Sequence, residues 1–233
     1  MSLTDRDIRV KVGPNSLFDG EMTDEQEKEI MRLANIIYFQ KKVWDRTYWM
    51  GLNIAKCPMD LITYQEIIVN VRPDLIIETG TLRGGSALYF AQICDLVGKG
   101  RVMTIDIESR PSLPQHPRIE YVVAPSTHPK LKEFLDKKLE GAGSVLVILD
   151  SDHRRDHVLK ELRMYAGYVS VGSYIIVEDS CFDGFPAWPE YGPGATAAID
   201  AFLAEDDHFE VDYSMEKHML TFSPKGFLKK IKD

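Results

Sequence analysis

Short apolar runs alternate with amphipathic stretches through most of this chain, beginning at Leu75. Leu75–Glu78, Arg101–Ile105, Ile119–Val123, Val145–Leu149 and Gly172–Val177 are brief and rich in β-branched residues, the pattern of strands buried on both faces of a parallel sheet. Between and after them, Ala87–Leu96, Pro129–Leu139, Asp156–Ala166 and Ala195–Leu203 read as helices. Strand and helix in alternation predict an α/β fold with a doubly wound parallel sheet. Phe209–Tyr213 and His218–Phe222, joined by the polar Ser214–Lys217, predict a closing antiparallel hairpin and so a seven-strand sheet with one antiparallel strand.

Upstream of Leu75 the pattern changes. Met1–Asp19 has no sustained period and reads as an irregular arm. Thr23 with Gln26 forms the signature of a capping box, and the stretch to Gln40 puts Ile30, Leu33, Ala34, Ile37 and Tyr38 on one helical face. That face needs a partner, either the protein's own core or a second subunit in a homo-oligomer. The aromatic segment Trp44–Gly51 either plugs this accessory helix onto the core or lines a pocket. Met59–Asn70 is a further helix, broken by Pro73. The expected division is an arm with accessory helix over residues 1–58 and a main domain over 59–233.

Composition narrows the class. With 233 residues, 44% of them hydrophobic and 27% charged, the chain holds one generous core. A formal net charge of -8 argues against nucleic acid, whose phosphates are met by clustered Lys and Arg. Cys57, Cys94 and Cys181 are odd in number and lack CxxC spacing, which argues against a disulfide framework and a cysteine zinc site. The opening residues carry no basic-then-apolar leader, and no apolar run approaches ~18 residues. The expectation is a cytoplasmic protein acting on a small molecule, with no membrane or nucleic-acid partner.

The chemistry gathers where apolar runs stop. Val145–Leu149 ends at Asp150-Ser151-Asp152-His153, and Tyr174–Val177 ends at Glu178-Asp179. Carboxylates at the ends of neighbouring parallel strands lie on the edge where open α/β sheets bind ligands. Their mutual repulsion calls for a cation, and a hard divalent ion suits oxygen ligands. Leu75–Glu78 runs into Thr79-Gly80-Thr81-Leu82-Arg83-Gly84-Gly85, a glycine-rich turn that lets a ligand approach the backbone ahead of a helix N-terminus. Arg101–Ile105 ends at Asp106, suited to ribose hydroxyls. Asp152 reads as a helix cap or a solvated acid, and His157 as a structural group.

Together these features resemble the class I S-adenosylmethionine-dependent methyltransferases, and the turn lacks the strict G-x-G-x-x-G of dinucleotide enzymes. Leu149-Asp150-Ser151-Asp152-His153 with His157, Val177-Glu178-Asp179, Gly192-Pro193-Gly194 and Leu220–Leu228 resemble the cephalosporin hydroxylase / rhamnosyl O-methyltransferase family over roughly Asp60 to Lys229. The resemblance implies a Rossmann-like seven-stranded methyltransferase sheet with a C-terminal antiparallel hairpin and N-terminal accessory helices. It implies S-adenosylmethionine and Mg²⁺ as cofactors, with Asp150, Glu178 and Asp179 as metal ligands. Glu78, Gly80, Gly84, Asp106 and Asp150 become cofactor contacts, and Ser126 a neighbour of the adenine, with His128 standing where the family usually has an acid.

By the same resemblance His153, three residues after the first ligand, is the catalytic base of the sugar-methylating relatives. The implied activity is O-methylation of a hydroxyl on a sugar moiety or natural-product intermediate. Two other classes stand beside it: a cofactor-binding partner protein assisting another biosynthetic enzyme, and a nicotinamide oxidoreductase. Phe182–Tyr191, with Trp188 and Tyr191 as stacking candidates, and Trp44–Met50 are expected to frame the acceptor pocket.

Overall fold

A computed structural model describes residues 23–183 and 191–233. The N-terminal arm and Trp188 lie outside the described residues. The elements are α1 (Asp24–Gln40), a two-stranded hairpin of β1 (Tyr48–Trp49) and β2 (Leu52–Asn53), α2 (Pro58–Val71), β3 (Leu75–Thr79), α3 (Gly85–Val97), β4 (Arg101–Asp106) and β5 (Ile119–Val123). Then come α4 (Pro129–Lys138), β6 (Val145–Leu149), α5 (Arg155–Tyr165), β7 (Tyr174–Val177), α6 (Ala195–Glu205), β8 (Phe209–Val211) and β9 (Phe227–Lys230).

Seven strands form one sheet in the order β5-β4-β3-β6-β7-β9-β8, parallel except for β9. Apolar side chains alternate between its faces. Leu75, Ile77, Val147, Leu149, Ile175 and Val177 join α4, α5 and α6 in one core, while Ile76, Leu146, Ile148 and Ile176 join α2 and α3 in the other. Strands buried on both faces explain why their sequences read as unbroken apolar runs.

The capping box of α1 is formed: Gln26 N donates to Thr23 Oγ1 and Thr23 N donates to Gln26 Oε1. The C-terminal end of α1 docks on its own chain, with Tyr38 edge-on to Phe222 and Phe39 edge-on to Phe182. Leu33 and Ile37 stay exposed. The aromatic segment divides its work. Trp49 packs edge-on against Tyr89 and donates to Gln92, whereas Trp44 stacks on Phe39 beside the ligand edge.

One expected strand is corrected. His218–Phe222 is not the second strand of the hairpin; that strand is β9, Phe227–Lys230, which pairs with both β7 and β8. The reason is tertiary. Phe222 is needed as a buried aromatic over the ligand edge, and its N–H is spent on Asp60 Oδ2 at 2.9 Å. Gly226 then lets the chain re-enter the sheet, since a Cβ there would lie 2.2 Å from the Val177 carbonyl oxygen.

Candidate active site

Three adjacent strands stop level with one another, and that fixes the site. The register pairs Thr79 with Leu149 and Leu149 with Val177, so Asp150 and Glu178 follow neighbouring strand ends. Asp150 N donates to Thr79 O and Glu178 N to Leu149 O, both at 3.0 Å. Asp179 is left-handed at φ 55, a conformation Asp tolerates better than most residues. The turn separates two consecutive acids: Asp179 lines the cavity, and Glu178 is buried behind it.

A ligand atom from each of Asp150, His153 and Asp179 falls within 4.8 Å of the others. His153 Nε2 is 3.2 Å from Asp179 Oδ2 and 3.8 Å from Asp150 Oδ1, and its ring meets Phe182 edge-on. Burial pushes the Asp179 carboxyl up to about 6, with His153 pulling the other way. Burial and the Asp150 charge push Glu178 well above the carboxylate range.

Sequence patterning does not single out Lys56. It is 3% exposed, and its ammonium donates to Asp150 Oδ2 and, at 2.6 Å, to Glu178 Oε1. Burial favours the neutral amine, yet Asp150, Glu178 and Glu78 outweigh it and hold the ammonium charged above its ordinary range. A lone lysine in Ile54-Ala55-Lys56-Cys57 carries no local signal, because its partners are 94 and 122 positions away.

The cavity of about 360 Å³ over this edge is walled by Trp44, Gly80, Asp106, Asp150, His153, Asp179 and the aromatic Phe39, Phe182 and Phe222. A second cavity of about 240 Å³ shares Gly80, Asp106 and Ser151 with the first and continues to Ala124, Ser126 and His157. Jointly they have the size of a small-molecule site. Tyr191 packs edge-on against Phe182 rather than standing apart as a stacking platform.

Of the predicted cofactor residues, Gly80, Asp106, Ser126 and Asp150 line this cleft, whereas Glu78 and Gly84 do not. Gly80 lines both cavities, and a Cβ there would sit 1.8 Å from the Asp150 carbonyl oxygen at a φ of +91. Gly84, φ +74, faces side chains instead, with the Pro114 ring 2.7 Å from where a Cβ would lie. Asp106 Oδ2 accepts from the N–H groups of Thr81 and Leu82, and Oδ1 from Glu108 N, all at 3.0 Å. An ionised carboxylate offers about four lone-pair sites, so one remains for a ligand hydroxyl. Glu78 Oε2 accepts from Thr104 Oγ1 at 2.6 Å, while Oε1 is buried with no partner among the described residues. Burial pushes the Glu78 carboxyl up to about 7, against the pull of Lys56.

Ser126 Oγ lies 3.1 Å from His157 Nε2, which also lies 3.1 Å from Ser151 Oγ; Ser151 in turn donates to the buried Glu161 at 2.8 Å. His157 thus orders the wall of the second cavity. His128 caps α4 by accepting from Lys130 N, a local role in place of the acid expected there. Asp152 is local too: its carboxylate accepts from the Arg154 backbone and guanidinium, which hold it down to about 2. All three cysteines are free and buried, and no helix among the described residues is long and apolar enough to cross a membrane.

Known proteins share this arrangement of strands. The family model described as Rhamnosyl O-methyltransferase/CmcI matches residues 41–231. The rhamnosyl O-methyltransferase of Mycobacterium bovis (strain BCG / Pasteur 1173P2) is 38% identical over 201 residues, 82% of this chain and 81% of that one. Among solved structures, an apo structure of CmcI has a TM-score of 0.63 at 21% identity, covering 81% of this chain and 78% of the other. A Mg-SAM structure of CmcI has a TM-score of 0.60 at 18% identity with the same coverage. By a match spanning both the ligand edge and the closing strands, the chain belongs to the rhamnosyl O-methyltransferase/CmcI family.

Proposed function

We propose that the protein transfers a methyl group from S-adenosylmethionine to a hydroxyl of a sugar moiety or other small natural-product intermediate, with Mg²⁺ as the resident ion. The observation that carries this reading is the convergence of Asp150, His153 and Asp179 at one wall of a cleft that begins at the Gly80 turn. Relatives named rhamnosyl O-methyltransferase and a CmcI structure with Mg-SAM support it.

The residues fit both groups. Carboxylates converging on one wall suit a divalent ion, hard oxygen donors suit magnesium, and His153 stands beside them with its ring nitrogen left for the proton. Asp150, Glu178 and Asp179 would hold the ion, the two aspartates from the cavity wall and Glu178 from behind them beside Lys56. The free lone pair of Asp106, which lines both cavities, suits a ligand hydroxyl. When bound, the ion supplies charge that acidifies an acceptor hydroxyl, and the sulfonium supplies the methyl group.

The chain's own residues do the rest. His153 receives the hydroxyl proton at Nε2, the ring nitrogen that faces Asp150 and Asp179. Phe39, Trp44, Phe182 and Phe222 exclude water from the reacting oxygen. Holding nucleophile and methyl group in line supplies several kcal/mol of barrier lowering.

Calorimetric titration with S-adenosylhomocysteine and with NAD tests the cofactor. Micromolar binding of the thioether and none of the dinucleotide is expected; the reverse preference contradicts the reading.

A further inference from the structure

Three side chains gather around one imidazole nitrogen beside the second cavity. Ser126 follows β5, Ser151 follows β6, and His157 and Glu161 stand one turn apart on α5. His157 Nε2 lies 3.1 Å from Ser126 Oγ, 3.1 Å from Ser151 Oγ and 3.5 Å from Glu161 Oε1. The proposed chemistry employs neither His157 nor Glu161, although Glu161 is 1% exposed and its Oε2 has no partner among the described residues. A carboxylate so far from water needs donors, and Ser151 and His157 are within reach of its other oxygen.

The hydrogens can be counted. A carboxylate oxygen only accepts, so the single Ser151 hydroxyl hydrogen goes to Glu161 Oε1, at 2.8 Å. Ser151 Oγ then has only lone pairs to offer His157, and Nε2 must carry the hydrogen between them. A protonated Nε2 has no lone pair left, so it cannot accept from Ser126. Ser126 Oγ therefore shares the same N–H and keeps its own hydrogen free of His157. The Ser126 backbone is fixed separately, its carbonyl accepting from the buried Tyr165 hydroxyl at 2.8 Å. The Glu161 carboxylate holds the His157 ring above the ordinary imidazole range, in keeping with an N–H aimed at these oxygens.

We propose that Glu161, Ser151 and His157 form a relay that fixes Ser126 as a hydrogen-bond donor into the second cavity, where it serves a ring nitrogen of the methyl donor's purine. Ser126, Ser151 and His157 all line that cavity, and Ile105, Ala124 and Pro125 give it the apolar wall that a flat heterocycle requires. His157 and Glu161 are positioning residues, acting through the Ser126 hydroxyl. The purine rests on the function proposed above; the direction of the relay belongs to the ligand-free protein.

Two measurements on the full chain test it. In ¹⁵N-histidine-labelled protein without ligand, with the His157 signals assigned by their loss in His157→Gln, pH is raised until the ring is neutral. Nδ1 is expected to give up its proton and Nε2 to keep one; a bare Nε2 overturns the relay. Calorimetry then compares S-adenosylhomocysteine with its 1-deaza, 3-deaza and 7-deaza analogues. Wild type should bind at least one analogue about three- to tenfold more weakly than the parent, the worth of one hydrogen bond. Ser126→Ala and His157→Phe should weaken the parent by the same factor and show no further loss with that analogue. His157→Gln, whose amide N–H can stand where Nε2 does, should stay near wild type. A wild type that treats all four ligands alike, or a His157→Phe that discriminates as wild type does, overturns the proposal. If His157→Phe does not fold, the ring-nitrogen measurement and Ser126→Ala decide. A wild type that binds no S-adenosylhomocysteine contradicts the proposed cofactor, and the ring-nitrogen measurement then decides the direction of the relay by itself.

Discussion

His153 Nε2 and Asp179 Oδ2 lie 3.2 Å apart at the wall of the main cavity. The base role demands that this nitrogen, and not merely the ring, face the acceptor. Replacing His153 by Ala should lower kcat about 10²–10⁴-fold, the usual worth of a positioned general base. Affinity for S-adenosylhomocysteine, measured by calorimetry, should hardly change. A large loss of that affinity with kcat intact would assign His153 to binding.

Asp106 combines two roles in one carboxylate. It accepts two backbone N–H groups from the turn after β3 and a third from Glu108 after β4, and keeps one lone pair for a ligand. Asp106→Asn cannot satisfy all three with a single carbonyl oxygen, so it should cost about 1–3 kcal/mol of stability. The same variant should weaken S-adenosylhomocysteine roughly tenfold, the scale of one hydrogen bond to a charged group. Urea melts and calorimetry read the two effects separately. Intact stability with lost binding would mean that the turn does not need the carboxylate.

Gly80 brings the end of β3 against the loop that carries Asp150, with no room for a Cβ beside the Asp150 carbonyl. Gly80→Ala also places a side chain at φ +91. A loss of about 3 kcal/mol or more is expected from strain and displacement together. Equilibrium denaturation in urea measures it; a loss under about 1 kcal/mol would show that the strand ends part easily.

Asp60 gives the stability a pH signature. Burial pushes its carboxyl up to about 7 in the folded protein, where it accepts from Phe222 N and is 3% exposed. The unfolded chain releases that proton near the ordinary value of about 3.9. Between these values the native state holds more protons than the unfolded state, so the Asp60 contribution is full below about pH 4 and lost as pH rises towards 7. Asp60→Asn keeps an oxygen for Phe222 N and removes the titration. Relative to wild type it should gain stability from about pH 4.5 to 7.5, by up to about 4 kcal/mol. Urea midpoints of the two proteins that run parallel across that range would contradict the raised Asp60 carboxyl.

The sheet is legible in the sequence because its information is local. Val145–Leu149 and Tyr174–Val177 announce buried strands by composition, and their common register sets Asp150 beside Glu178. The carboxyl-edge cluster follows from that alone. Lys56 does not, because a single lysine acquires meaning only from carboxylates distant in sequence. The last strand is misplaced by sequence patterning for a related reason: Phe227–Lys230 carries two lysines and looks weak, whereas the apolar-rich His218–Phe222 looks strong and is spent on covering the cavity. Gly80 looks like a ligand contact in sequence, and only the fold adds the backbone neighbour across the sheet that leaves no room for a Cβ.

Methyl transfer under metal control bears on the proposed function more directly than any of these variants. Protein stripped of metal is supplied with methyl-labelled S-adenosylmethionine and a panel of rhamnose-bearing and other sugar acceptors, with Mg²⁺ or EDTA, alongside Asp179→Asn. Label is expected in an acceptor hydroxyl with Mg²⁺, with a loss of at least about 100-fold in EDTA or in Asp179→Asn. Turnover that is intact in EDTA and in Asp179→Asn would contradict the proposed metal-dependent transfer.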